Sequence, residues 1–154
     1  MVGGKGAIDT SVTFYKTVKY PDLSAPITLA SGIEARLIEA EAALHAGDAQ
    51  WLTTLNTLRQ TAISPALPDL TDPGTADARL DLLYHERAYW LYLTGRRLGD
   101  LRRLIKVYGR GAETVFPTGP YPLGGTYGTA TSIPFIFAAN STGNPYLTSG
   151  CTSR

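Results

Sequence analysis

Between residues 32 and 108 apolar side chains recur at three- and four-residue spacing in four runs, each bounded by helix start or stop signals. That periodicity commits the middle of the chain to amphipathic α-helices. Ser31 opens the first run with Glu34 three positions on, the spacing at which each side chain can satisfy the other's backbone N–H. Ile33, Leu37, Ala40, Glu41 and Leu44 share its face, and Gly47 supplies a left-handed stop. Asp48 caps the second run, whose stripe is Trp51, Leu52, Leu55, Leu58, Arg59 and Ala62, ended by Pro65. A loop over 64–75 holds Pro65, Pro68 and an Asp72-Pro73-Gly74 turn. A third helix is expected over 75–94, with Leu80, Leu83, Arg87, Trp90 and Leu91 on one face. Gly95 breaks it, and a fourth follows over 96–108 with Leu98, Leu101, Leu104 and Ile105 inward. Short connections within each pair predict two stacked helical hairpins, the tetratricopeptide-like plan.

The flanks differ. Residues 1–30 read as an irregular or extended lead-in, with partial alternation at Val12, Phe14, Val18 and Tyr20 ended by Pro21 and Pro26. Residues 109–154 carry much of the Gly, Pro, Thr and Ser and read as an irregular tail packed on the helices. At 154 residues the expectation is a single domain, 1–154, mainly α, with its helical body over 31–108. A net charge of +1 argues against bulk attraction to nucleic acid or anionic lipid. No stretch has the roughly 18–20 consecutive apolar residues of a membrane span. The opening residues lack a charged segment followed by an apolar run, so no signal peptide is read there. Cys151 is the single cysteine: a free thiol is the favoured reading, half of a bridge to a partner the other.

One run stands out. Glu86, Arg87, Gly95, Arg97, Asp100, Leu101, Arg102 and Arg103 follow a fixed spacing, a Glu-Arg helix followed by Gly, one residue, Arg, two residues and Asp-Leu-Arg-Arg. In this the chain resembles the C-terminal signature of the SusD/RagB family. The likeness extends to Ala40-Glu41-Ala42, to Leu55-Asn56-Thr57-Leu58-Arg59, and to Ile133-Pro134-Phe135 and Asn144-Pro145-Tyr146-Leu147 near the end. Trp90 and Thr94 stand where the family usually carries acidic residues. The resemblance implies a tetratricopeptide-like scaffold at the outer membrane or cell surface. It implies capture of an oligosaccharide or other nutrient for a TonB-dependent transporter, without catalysis or cofactor. Such proteins carry a lipoprotein signal and a long preceding region, so the likeness concerns their C-terminal part.

The residues themselves leave rival readings. Glu86, Arg87, Arg97 and Asp100 suit an Arg–carboxylate lattice across the Gly95 corner, because the planar guanidinium fork fixes how two helices cross. Gly95 allows positive φ or close backbone approach there. The rival is a hydrolase with Glu86 and Asp100 as acid and base. Pairing is preferred, since nearby arginines keep both carboxylates ionised. Arg96, Arg97, Arg102, Arg103, Lys106 and Arg110 are scattered around the helix by its pitch, so a solvated or salt-bridged face is preferred to a nucleic-acid footprint. His45 and His85 lack metal-ligand spacing, and no metal site is expected. Tyr121, Tyr127 and Tyr146, set among Gly, Pro and Thr, are the candidate ligand-binding residues, because exposed aromatic rings stack on pyranose faces. The competing reading is that they staple the tail to the helices. A stand-alone helical interaction module without glycan binding is the alternative function.

Overall fold

The computed structural model describes residues 2–5, 13–122 and 124–128. Tyr146, Cys151 and the closing Ile133-Pro134-Phe135 and Asn144-Pro145-Tyr146-Leu147 segments lie outside the described residues. The chain is mainly helical: α1 (Gly32–His45), α2 (Gln50–Thr61), α3 (Ala76–Trp90), α4 (Arg97–Lys106) and the short α5 (Ala112–Val115). Before them, β1 (Val2–Lys5) pairs antiparallel with β2 (Thr13–Lys16), Val2 opposite Lys16. This ribbon gives part of the irregular or extended lead-in regular pairing. Among the described residues no helix is long and apolar enough to cross a membrane.

The caps explain the helix starts. Ser31 Oγ accepts the Glu34 N–H at 3.1 Å, and Thr75 Oγ1 accepts that of Ala78 at 3.2 Å. Asp48 Oδ1 accepts the Gln50 N–H at 2.9 Å. Each satisfies a donor that the first helical turn leaves without a partner. The reciprocal half of the capping box does not form: the Glu34 carboxylate turns to Arg96, 2.7 Å away. Gly47 takes φ +72° and stops α1 as expected. The third helix is shorter than expected. It ends at Trp90, the Leu91 N–H bonds back to the Arg87 carbonyl and the Tyr92 N–H to that of Tyr89, and a turn runs to Gly95 at φ +78°.

One core serves all four long helices. Leu37 and Ala40 of α1, Trp51, Leu55 and Leu58 of α2, Leu80, Leu83 and Tyr84 of α3, and Leu101 and Leu104 of α4 are buried together, with Leu91 from the turn. Leu37, Leu55 and Leu83 are fully enclosed, each worth about 1.5–3 kcal/mol relative to exposure. Ala62, expected in the α2 stripe, is exposed beyond the helix end. Trp51 is core, whereas Trp90 is only partly buried. The helices α1 and α2 pack closely, and α1 also meets α3.

Side chains bind the irregular segments to this body. Asn56 lies against the loop like a strand: its Oδ1 accepts the Leu70 N–H at 2.8 Å and its Nδ2 donates to the Leu70 carbonyl at 3.1 Å. Arg59 Nε reaches the Pro68 carbonyl at 2.8 Å. The lead-in is pinned to the Gly95 corner, where Lys19 Nζ donates to the Tyr92 carbonyl and Tyr20 Oη to that of Leu93. After α4, Arg110 donates to Asp81 at 2.9 Å, while Val115 and Phe116 pack on the core.

Candidate functional site

Polar residues on the apolar stripes need buried partners, and here they find one another. Glu86, Arg87 and Asp100 are only 3–5% exposed. Arg87 grips Asp100 with both arms of its fork, Nε to Oδ2 at 3.0 Å and Nη2 to Oδ1 at 2.9 Å, joining α3 to α4. Glu86 is bound on the opposite flank of α3: Arg59 of α2 donates to Oε1 at 2.7 Å and the Trp90 indole N–H to Oε2 at 3.1 Å. Across the Gly95 corner the expected lattice thus reduces to the Arg87–Asp100 pair, and Glu86 is taken by Arg59 of α2 instead.

Its hub is a residue that the sequence reading placed on a helical stripe without assigning it a role. Glu41 of α1 accepts from Arg103 of α4 and from the Tyr84 and Tyr108 hydroxyls, each hydroxyl at 2.8 Å. Its Oε2 also lies 3.7 Å from Arg87 Nη1, a buried nitrogen without a hydrogen-bond partner among the described residues. The signal was available: Glu41 is the one acid on an otherwise apolar stripe of α1, and such a charge requires a partner from another element. The Tyr84 and Tyr108 rings meet edge to face at 5.8 Å, and the Arg87 and Arg103 guanidinium groups lie 5.8 and 5.6 Å from the centre of the Tyr84 ring. Burial, then the Glu41 hydrogen bond, push the Tyr84 hydroxyl well above its ordinary value, against an opposing pull from Arg103. The same two causes push Tyr108 up to about 12.

Arg97 departs from the expected lattice. It lies at the start of α4, exposed, and has no carboxylate partner among the described residues. The reason is that Asp100 is already gripped by Arg87 and lies 3.5 Å from Arg103 on the next turn. Gly95 acts through its left-handed φ alone, since an added Cβ would meet nothing within 4 Å. In the rest of the basic cluster, Arg96 pairs with Glu34, Arg103 with Glu41 and Arg110 with Asp81. His45 and His85 are exposed, and no cluster of metal-ligating side chains occurs among the described residues.

Tyr121 and Tyr127 come together at a second place. Backbone bonds from Tyr121 N–H to the Gly125 carbonyl (2.9 Å) and from Tyr127 N–H to that of Gly119 (3.0 Å) close a small hairpin around a Pro120–Thr126 bridge. Gly119, Gly124 and Gly125 all take positive φ, which turns the chain tightly enough to bring the rings edge to face at 5.2 Å. The rings are 42% and 36% exposed and lie on each other. Val115 and Phe116, just before the hairpin, pack against the helical core.

Several clefts lie beside α3. One of about 570 Å³ lies between Arg59, Leu70 and Tyr89, another of about 550 Å³ lies at the Gly95 corner, and a third of about 370 Å³ lies towards α5. No family model, curated protein or solved structure matches the chain.

Proposed function

We propose that this chain is a non-catalytic binding and scaffold protein of the SusD/RagB type. In this reading its helices form two stacked, tetratricopeptide-like hairpins that meet a TonB-dependent transporter at the cell surface, and its tyrosine hairpin contacts an oligosaccharide. The observation that carries the reading is the exposed, edge-to-face pair of Tyr121 and Tyr127 on a glycine-built turn. Two rings held by their own backbone present apolar faces without an ordering cost at binding, and neighbouring carbonyls and hydroxyls accept sugar hydroxyl groups.

The lattice supports the absence of catalysis. Both oxygens of Glu86 and both of Asp100 accept charge-assisted or indole hydrogen bonds, and both residues are buried. An acid and base for glycoside hydrolysis need a proton to exchange and a path to substrate. Glu86 and Asp100 accordingly serve architecture, and glycan capture lies elsewhere.

Calorimetric titration with starch-, xylan- and mannan-type oligosaccharides tests the reading. Saturable binding that falls at least about tenfold in Tyr121→Ala and Tyr127→Ala, with unchanged melting temperature, is expected. Absence of binding by the folded protein defeats glycan capture and leaves the stand-alone interaction module.

A further inference from the structure

The cleft at the Gly95 corner combines three properties. Its volume of about 550 Å³ lies in the range of small-molecule sites. Its walls are apolar and aromatic, from Ala88, Leu93, Tyr92 and Tyr89, and Tyr89 stands edge to face with His85 at 4.8 Å. Tyr89, Tyr92 and Leu93 are exposed at 69%, 54% and 45%, unusual for side chains of this size beside a packed core. At its margin stands Arg97, a cation with no carboxylate partner among the described residues.

Charge bookkeeping around the cleft favours an anion. Asp100 is the only acid on its lining, and both its oxygens are held by Arg87. Arg87 and Asp100 therefore cancel, which leaves Arg97 as the net charge on the lining, with a second cation, Lys19, close by on the Tyr92 carbonyl. The cleft beside Trp90 has its Arg59 committed to Glu86. The cleft towards α5 shares Arg97, but Asp81 and Arg110 line it as well. Anionic sugars fit less well than a flat apolar acid, since the walls offer little beyond tyrosine hydroxyls to pair with sugar hydroxyl groups.

We propose that this cleft binds a small aromatic carboxylate, the ring lying among Tyr89, Tyr92 and Leu93 and the carboxylate on Arg97. The site is independent of the tyrosine hairpin and of the glycan reading.

The probe pair is 3-phenylpropionate and 3-phenylpropionamide, which are nearly isosteric but differ in charge, followed by ¹H–¹⁵N NMR titration of the whole chain. Saturable shifts centred on residues 88–97 are expected with the acid, with the amide weaker by roughly tenfold. Arg97→Gln should bring the acid to the level of the amide, and Arg97→Lys should restore part of the loss. Tyr121→Ala should leave acid binding unchanged. Because Arg97 is exposed and has no carboxylate partner among the described residues, its variants should keep the parent's melting temperature. Equal binding of acid and amide, an unaffected Arg97→Gln variant, or no localised saturable shift with the acid would each overturn the proposal.

Discussion

At the scale of single residues, the notable fact is how much depends on the protonation of two phenols. Tyr84 and Tyr108 both donate to Glu41, and a phenolate at either position would face a carboxylate across a hydrogen bond that had lost its proton. Both hydroxyls titrate above their unfolded value, about 10. The folded state therefore holds these protons more tightly than the unfolded chain does. The resulting stabilisation is complete below about pH 10 and is lost as pH rises from there through the folded value, about 12 for Tyr108. Melting temperature followed from pH 8 to 12 should fall steeply above pH 10. Tyr108→Phe, which has nothing to titrate at that position, should start lower at pH 8 and show a shallower alkaline limb. A variant limb as steep as the parent's would mean that Tyr108 is not a source of the alkaline sensitivity.

At the scale of elements, Gly95 and Gly99 make a controlled comparison across five residues of sequence. Neither would place an added Cβ near another atom, but Gly95 has φ +78° and Gly99 lies inside α4. Gly95→Ala should destabilise the protein by about 1–2 kcal/mol through the left-handed backbone alone. Gly99→Ala should stabilise it by roughly 0.5–1 kcal/mol through helix propensity. Urea unfolding of the two variants measures both, and a loss at both positions would show that the corner tolerates no added volume. The helices themselves were legible in the sequence because a 3.6-residue period is a local signal. The end of α3 was not. Leu91 and Thr94 suit helix, but a Thr94 Oγ1–Leu91 carbonyl bond and the lead-in's grip on the Tyr92 and Leu93 carbonyls favour a turn. The β1–β2 ribbon was equally hidden, because Gly3 and Gly4 carry no strand preference and pairing is a nonlocal property. In the site, Glu86, Arg87 and Asp100 were readable as paired charges on apolar stripes. Arg97 was misplaced because sequence spacing does not say which of several arginines captures one aspartate.

At the scale of the whole molecule, ion pairs tie α4 and α3 into the rest: Glu41–Arg103 joins α1 to α4, Arg59–Glu86 joins α2 to α3, and Arg87–Asp100 joins α3 to α4. Since the helices also share one apolar core, they should unfold in a single step. Far-ultraviolet dichroism and tryptophan fluorescence should give coincident urea transitions. Arg87→Ala, which leaves Asp100 buried without its bidentate partner, should lower stability by about 3–5 kcal/mol while keeping the transition single. Separate transitions for the two probes would instead divide the helices into independent units.

The convergence on Glu41 also constrains how such a chain can change over time. Glu41, Tyr84, Arg87, Asp100 and Arg103 touch one another in a closed circuit, so replacing any one leaves a neighbour enclosed without its counter-charge or hydrogen-bond partner. An all-apolar version of the same interior is physically reasonable and is often at least as stable as an ionic one. Every route to it by successive single replacements, however, crosses an intermediate with a stranded charge. An interior of this kind resists stepwise replacement, because each single exit is steep.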